Sequence, residues 1–353
     1  MYTERSRPSS ELETPPPAKV TASAPVSAAA GLREHLLPEL AMLDARLVST
    51  LDSDVALVRS IAEYIVSAGG KRLRPVLVFL SAQALGADSR SSLIVDLAAT
   101  IELIHTATLL HDDVVDESDL RRGRATANAQ FGNAASVLVG DFLYSRAFQV
   151  MVGTGNIRVL ELLSEATNRI AEGEVMQLMA LGNLDLTEAD YMRVIEAKTA
   201  KLFEAAGALG AIAANADAKT ERALSEYARR LGVAFQIADD VLDYRGDADT
   251  LGKSLGDDLA EGKLTLPIIM ALQRGTTAGK ALVREVLATP HAIDPKQFRD
   301  VLDVLESCGA LDDSLERARC EASAAAAEIA HLPATNAKKW MLELCGYAVK
   351  RNA

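Results

Sequence analysis

From about residue 31 onward, apolar residues recur at three- and four-residue spacings almost without interruption, over 93–116, 134–152, 158–181, 188–213 and 219–244. That period is helical, because residues three and four apart share one face of a helix. Polar or glycine-bearing breaks such as "RRGRATANAQFGN" and "GNLDLT" separate the segments, and no alternating runs joined by hairpin turns stand out. Several segments are apolar over more than one face, as expected for helices inside a large bundle. Aromatic residues make up only 4% of the chain while alanine and leucine abound, which favours helix over sheet. The expected fold is all-α, one large helical bundle over residues 31–353. Residues 1–30, rich in Pro, Ser and Ala, are expected to form a disordered tail.

Composition narrows function by exclusion. A net charge of −12 argues against a nucleic-acid partner held by bulk electrostatics. Anions can still bind through locally placed cations or metal ions. Cys308, Cys320 and Cys345 lack metal-ligand spacing and read as thiols of a reducing compartment. The N-terminus has no apolar core of a signal peptide, so the cytoplasm is the expected location. The longest apolar stretch, near 97–110, is interrupted by Glu102 and His105, and no transmembrane segment is evident.

Against this apolar background, "LLHDDVVDES" at 109–118 and "QIADDVLDY" at 236–244 each carry Asp-Asp-x-x-Asp. Positions i and i+4 share a helix face, so Asp112 and Asp116 project together with Asp113 beside them, and Asp239 and Asp243 do so with Asp240. Carboxylates are costly to desolvate, so another charge should balance them. Oxygen-only donors with few protein ligands per ion suit Mg²⁺, which retains waters and substrate phosphates. The alternating acids around a glycine of a calcium loop are missing.

Two basic patches accompany the acids. "GGKRLRP", 69–75, gathers Lys71, Arg72 and Arg74 near a helix start, and "RRGR" comes after the first cluster with Arg121, Arg122 and Arg124. Either could be a solvated turn, but both also suit a phosphate or diphosphate. "GDADTLGKS", 246–254, mimics a phosphate-binding loop but has five residues between its glycines where the motif needs four, and "GTTAGK", 275–280, fails on spacing as well.

Taken in order, the two acidic clusters, "GGKRLRP", "RRG" and "GKLTLP" at 262–267 resemble the trans-polyprenyl diphosphate synthases. The segment 104–141 is most similar to bacterial long-chain members of the octaprenyl type. The resemblance implies an isoprenoid synthase bundle with a central substrate cavity. It also implies Mg²⁺, three ions per site once diphosphate is bound, with Mn²⁺ as a substitute. Asp112, Asp116 and Asp239 would be leading metal ligands, with Asp113, Asp240 and Asp243 as direct or water-mediated supports. Lys71, Arg74, His105 and Arg122 match positions that hold isopentenyl diphosphate. Arg121, Lys198, Thr199, Gln236 and Lys253 match the allylic diphosphate site, with Lys263 nearby.

The chemistry implied is ionisation of an allylic diphosphate, farnesyl diphosphate being the expected primer, and attack by isopentenyl diphosphate. Thr199 and Gln236 oxygens would stabilise positive charge in the pocket. Ala107 and Thr108, five and four residues before Asp112, are small where short-chain members commonly carry an aromatic side chain. The tail should thread deeper, with Met151 and Leu163 as candidate floor residues, giving a C40 product for quinone side chains, with a C45 or C50 neighbour or a shorter-chain product as the alternatives. A homodimer and contact with a membrane surface for product release are further implications. Two rivals, a terpene cyclase or squalene-type synthase and a non-catalytic synthase subunit, are disfavoured by the second complete acidic cluster and by "GGKRLRP".

Overall fold

A computed structural model of the chain describes residues 25–67, 70–121, 123–245, 256–288 and 293–350. Helices α1 (Pro25–His35), α2 (Leu37–Thr50), α3 (Ala56–Ser67) and α4 (Leu73–Ala84) lead into the long α5 (Ser92–Val115). Strands β1 (Leu120–Arg121) and β2 (Arg124–Ala125) then form a minimal antiparallel pair. Next come α6 (Ala127–Phe131), α7 (Asn133–Gly153), α8 (Ile157–Ala180) and α9 (Glu188–Ile195). A π-helical turn, Glu196–Ala200, leads into α10 (Lys201–Ala213) and α11 (Ala218–Arg245). The chain ends with α12 (Asp257–Ala260), α13 (Leu266–Arg274), α14 (Thr277–Leu287), α15 (Pro295–Ser307), α16 (Ala310–Glu328) and α17 (Asn336–Lys350).

The five periodic segments read from the sequence are all helical, with two local differences. The 188–213 segment is interrupted by the π turn, and "LRRGRA" holds the two short strands, turning at Gly123 with φ +71°. Residues 25–30, placed by composition in the tail, belong to α1; residues 1–24 lie outside the described residues.

Helices α4, α5, α10 and α11 form the middle of the bundle. α5 packs against α2, α4 and α7, while α11 packs against α10, the π turn, α16 and α17. α5 buries residues on every side from Ile94 to Asp113, so it needs neighbours all round. By length and composition α5 is also the one described helix apolar enough to cross a membrane, but most of it is covered by other helices. Close approach depends on small residues. A Cβ on Gly173 of α8 would lie 2.5 Å from the Lys198 backbone nitrogen, so only glycine lets α8 press against the π turn. One apolar cluster spans α1 to α8, α10 and α17, and a second joins α9 and the end of α11 to α13–α16.

Candidate active site

Both acidic clusters fall at helix C-termini, where backbone carbonyls already concentrate negative potential. Asp112 and Asp113 close the last turn of α5 and Asp116 is its C-cap residue, its backbone N–H donating to the Asp112 carbonyl at 2.8 Å. Asp239, Asp240 and Asp243 close α11. Such ends demand cations, and the chain brings them from elsewhere.

Lys198 leaves the π turn and places Nζ 2.5 Å from Glu174 Oε2 and 3.8 Å from Asp112 Oδ2. A π turn inserts an extra residue and rotates the next helical turn, which lets a helix interior aim a side chain into a site. Lys263 comes from the segment after α12, with Nζ 2.9 Å from Asp116 Oδ2 and paired also with Glu261. Burial and neighbouring Asp116 raise the Asp112 pKa, with Lys198 opposing. Burial, then Asp112, lifts Glu174 to about 7, again against Lys198. Burial lowers the Lys263 pKa, but Asp258, Asp116 and Glu261 outweigh it and the net shift is upward. Lys263 thus stays charged at neutral pH.

The remaining aspartates are held by protein. Asp113 is buried and accepts from Arg121 Nε at 2.8 Å and Nη2 at 2.7 Å. Asp240 accepts from the Tyr191 hydroxyl at 2.6 Å and from Gln236 Nε2 at 2.7 Å, while Thr199 Oγ1 donates to Gln236 Oε1 at 3.0 Å. Burial, then Asp258, raises the Asp240 pKa well above the usual carboxylate range. Asp243, 1% exposed, accepts from the Asp258 backbone N–H at 3.1 Å. Asp239 remains half-buried. The segment 256–263 therefore joins the clusters, touching Asp243 at one end and Asp116 at the other.

Arg74 Nη1 lies 3.0 Å from His105 Nε2, and its guanidinium stands over the Phe203 ring at 4.5 Å. Burial lowers its pKa to about 10, leaving it protonated at neutral pH. Lys71 Nζ stands over Phe235 at 5.9 Å and over Tyr347 at 6.0 Å. Deeper along α5, Ala107 is fully buried, as are Met151 of α7 and Leu163 of α8, in one apolar cluster. Thr108 is half-buried and its hydroxyl donates to the His105 carbonyl at 2.8 Å. Arg122 and Lys253 lie outside the described residues.

Three aspects differ from the i, i+4 expectation. Asp243 does not share an open face with Asp239, because the start of α12 covers it, Gly256 N–H donating to its carbonyl and Asp258 N–H to its carboxylate. Arg121 is occupied by Asp113. Among the described residues no three carboxylates, histidines or cysteines converge tightly enough to hold an ion alone. The donor set fits a hard divalent ion whose remaining ligands are water and phosphate oxygens, because Asp112 and Asp116 are hard donors already opposed by the ammonium groups of Lys198 and Lys263. Sequence reasoning missed Glu174, Asp258, Glu261, Tyr191, Phe203, Phe235 and Tyr347. The second Asp of "GDD" and the Glu of "EGK" offered a charge signal; the rings offered none.

A bundle with two acidic helix ends, lysines between them and a basic patch beside them is the architecture of an enzyme acting on diphosphates. The Polyprenyl synthetase family model matches residues 55–305, and the chain belongs to that family. It is 48% identical to octaprenyl diphosphate synthase of Escherichia coli (strain K12), over 91% of this chain and 98% of that one. It is 44% identical to an all-trans-nonaprenyl-diphosphate synthase (geranyl-diphosphate specific) of Rhodobacter capsulatus, over 89% and 95%. A polyprenyl synthase from Caulobacter crescentus CB15, solved in complex with calcium and isoprenyl diphosphate, superposes with a TM-score of 0.88 at 43% identity, covering 92% of this chain and 98% of that one. The chain is a prenyltransferase, a long-chain all-trans-polyprenyl diphosphate synthase.

Proposed function

We propose that this chain adds isopentenyl diphosphate repeatedly to an allylic diphosphate, such as farnesyl diphosphate, and releases a C40 product. The observation that carries the reading is the pairing of each outward aspartate of the first cluster with a lysine from a distant segment, Asp112 with Lys198 and Asp116 with Lys263. Mg²⁺ dependence is general in the family, and the Caulobacter relative was solved with a divalent ion and a diphosphate. Asp112, Asp116 and Asp239 would hold Mg²⁺, which when bound supplies electrostatic stabilisation of the leaving diphosphate. Lys198 and Lys263 then turn from the aspartates to the diphosphate oxygens. Lys71, Arg74 and His105 hold isopentenyl diphosphate beside it, and the oxygens of Thr199 and Gln236 face the positive charge as the allylic C–O bond opens. The surrounding apolar helices exclude water that would quench that charge.

Farnesyl and isopentenyl diphosphates with Mg²⁺ should give a C40 alcohol after phosphatase treatment, read by chromatography. A product stopping at C20, or a cyclised hydrocarbon, would overturn the reading. Tail direction has its own test. Ala107 lies five residues before Asp112, roughly 7 Å deeper at 1.5 Å per residue. Ala107→Phe adds a ring where packing leaves little room, so an active mutant should stop near C20, one condensation beyond the primer. Unchanged long product would place the tail on another face of α5.

We further read the enzyme as a homodimer. Leu138, Phe148 and Val152 of α7 and Ile157, Val175 and Leu178 of α8 are exposed apolar side chains on adjacent helices, as an isologous interface would need. Light scattering at micromolar concentration should report twice the 37.6 kDa chain mass; a monomer would refute this.

A further inference from the structure

Arg72 stands between two predicted substrate ligands and takes part in neither contact. It is the N-cap residue of α4, with φ 50° and ψ 30°, and its side chain makes no capping bond. That left-handed conformation suits glycine, and a residue with a Cβ adopts it only when the surroundings compel it. The described residues contain two other non-glycine examples, Glu117 and Asn215; asparagine tolerates the conformation through its short polar side chain, an option arginine lacks.

The compelling contact is visible. The Arg72 side chain is 14% exposed and its Nη1 pairs with Glu102 Oε1 on α5, itself 8% exposed. Nη2 also approaches Asp44 Oδ1 at 3.5 Å. Around Arg72 the wall is apolar, formed by Leu47, Leu51, Ile65, Leu103 and Leu143. Glu102 Oε2 is buried without a hydrogen-bond partner. Removing Arg72 therefore strands Glu102, while removing Glu102 leaves Arg72 only the longer approach to Asp44.

The geometry explains what the pair does. Glu102 and His105 lie three apart on α5 and face the same way. Glu102 takes Arg72, and His105 takes Arg74 at 3.0 Å. α5 therefore grips the start of α4 at residues 72 and 74, and the left-handed turn at 72 sends Lys71 away from α5 towards Phe235 and Tyr347. We propose that Arg72 and Glu102 are a positioning pair that sets the spacing of Lys71 and Arg74 for the diphosphate of isopentenyl diphosphate. This rests on the reading that Lys71 and Arg74 bind that substrate.

Steady-state kinetics on the full chain, with each substrate varied in turn, tests it. Glu102→Gln should raise KM for isopentenyl diphosphate about tenfold, as expected for disturbing one charge-assisted contact. KM for the allylic substrate should stay within about twofold, with kcat at saturation little changed. Arg72→Lys keeps the buried charge but loses the forked guanidinium, so it should fold normally and raise the same KM by a smaller factor than Arg72→Gln. The double variant Arg72→Gln/Glu102→Gln should be no worse than the worse single variant. Equal rises in both KM values, or a lowered melting temperature with neither KM changed, would overturn the proposal. If Glu102→Gln does not fold, Arg72→Lys decides alone, and an unchanged KM there refutes the pair. Lys71→Ala separates the two levels. If it leaves KM for isopentenyl diphosphate unchanged, the substrate assignment itself fails; if it raises KM while Arg72→Lys does not, only the positioning role fails.

Discussion

At the end of α5, Asp112 and Asp116 are partly exposed and each meets a lysine from another segment. At the end of α11, Asp240 and Asp243 are sealed inside, one on Tyr191 and Gln236 and the other on the Asp258 backbone. The same Asp-Asp-x-x-Asp spelling thus produces two partly exposed carboxylates at one helix end and one at the other. The difference arises outside the motif. α9 brings Tyr191 against α11, and the start of α12 covers Asp243, whereas at the end of α5 Arg121 takes Asp113 and the two outward aspartates meet only lysine side chains among the described ion pairs. Identical local sequence fixes which residues share a helix face; tertiary neighbours decide which of them reach the substrate.

The largest expected effect breaks or upholds that division. Asp112→Ala and Asp239→Ala should each cut turnover about a hundredfold or more while circular dichroism stays native, because each deletes a proposed metal ligand at a reachable position. Near-normal turnover in both would remove the metal assignment at both helix ends.

Next in size are the cations. Charge-assisted contacts to a diphosphate are worth roughly 1.5–3 kcal/mol, or about tenfold or more in KM. Lys198→Ala should raise KM chiefly for the allylic substrate and Arg74→Ala chiefly for isopentenyl diphosphate. Equal effects of both variants on both substrates would merge the two sites into one.

The same division separates what the sequence makes legible from what it hides. The 3.6-residue period of apolar side chains places α5, α7, α8 and α11 to within a residue or two, because each buries a broad face. The acidic clusters announce themselves because charge inside an apolar run needs a reason. The π turn is invisible: "EAKTA" has ordinary helical composition, and its close neighbour Gly173 of α8 lies more than twenty residues away in sequence. Tyr347 is equally silent, since its approach to Lys71 depends on α17 returning over the bundle from 276 residues away in sequence (347 − 71). Contacts set by long-range packing leave no periodic trace.

A smaller effect sharpens the contrast between outward and sealed aspartates. Asp243→Ala leaves the Asp258 N–H without its acceptor in a buried place, a cost of roughly 1–3 kcal/mol. Asp116→Ala removes one of several crowded acids near Asp112 and should leave the melting temperature almost unchanged. Calorimetry on both variants decides it: if Asp116→Ala lowers the transition as far as Asp243→Ala does, the first cluster is as structural as the second.

The smallest effect concerns the acid that shares Lys198 with the first cluster. In the metal-free protein, burial and then Asp112 hold Glu174 at about 7, above its ordinary value of 4.5, with Lys198 opposing. Between those values the folded chain keeps a proton that the unfolded chain has released. The stability this confers is present in full below about pH 4.5 and is lost as pH rises through about 7. Glu174→Gln is neutral throughout and lacks that slope. Near pH 5 the variant and the parent should melt together, since both then carry an uncharged side chain beside Asp112. Towards pH 8 the parent should fall behind by about 2–4 °C for each kcal/mol of repulsion restored. Metal-free melting curves across this range measure the gap directly. A gap that stays flat, or one that favours the parent at high pH, would mean that Lys198 already neutralises Glu174 and Asp112 together, and that the end of α5 is as fully compensated as the end of α11.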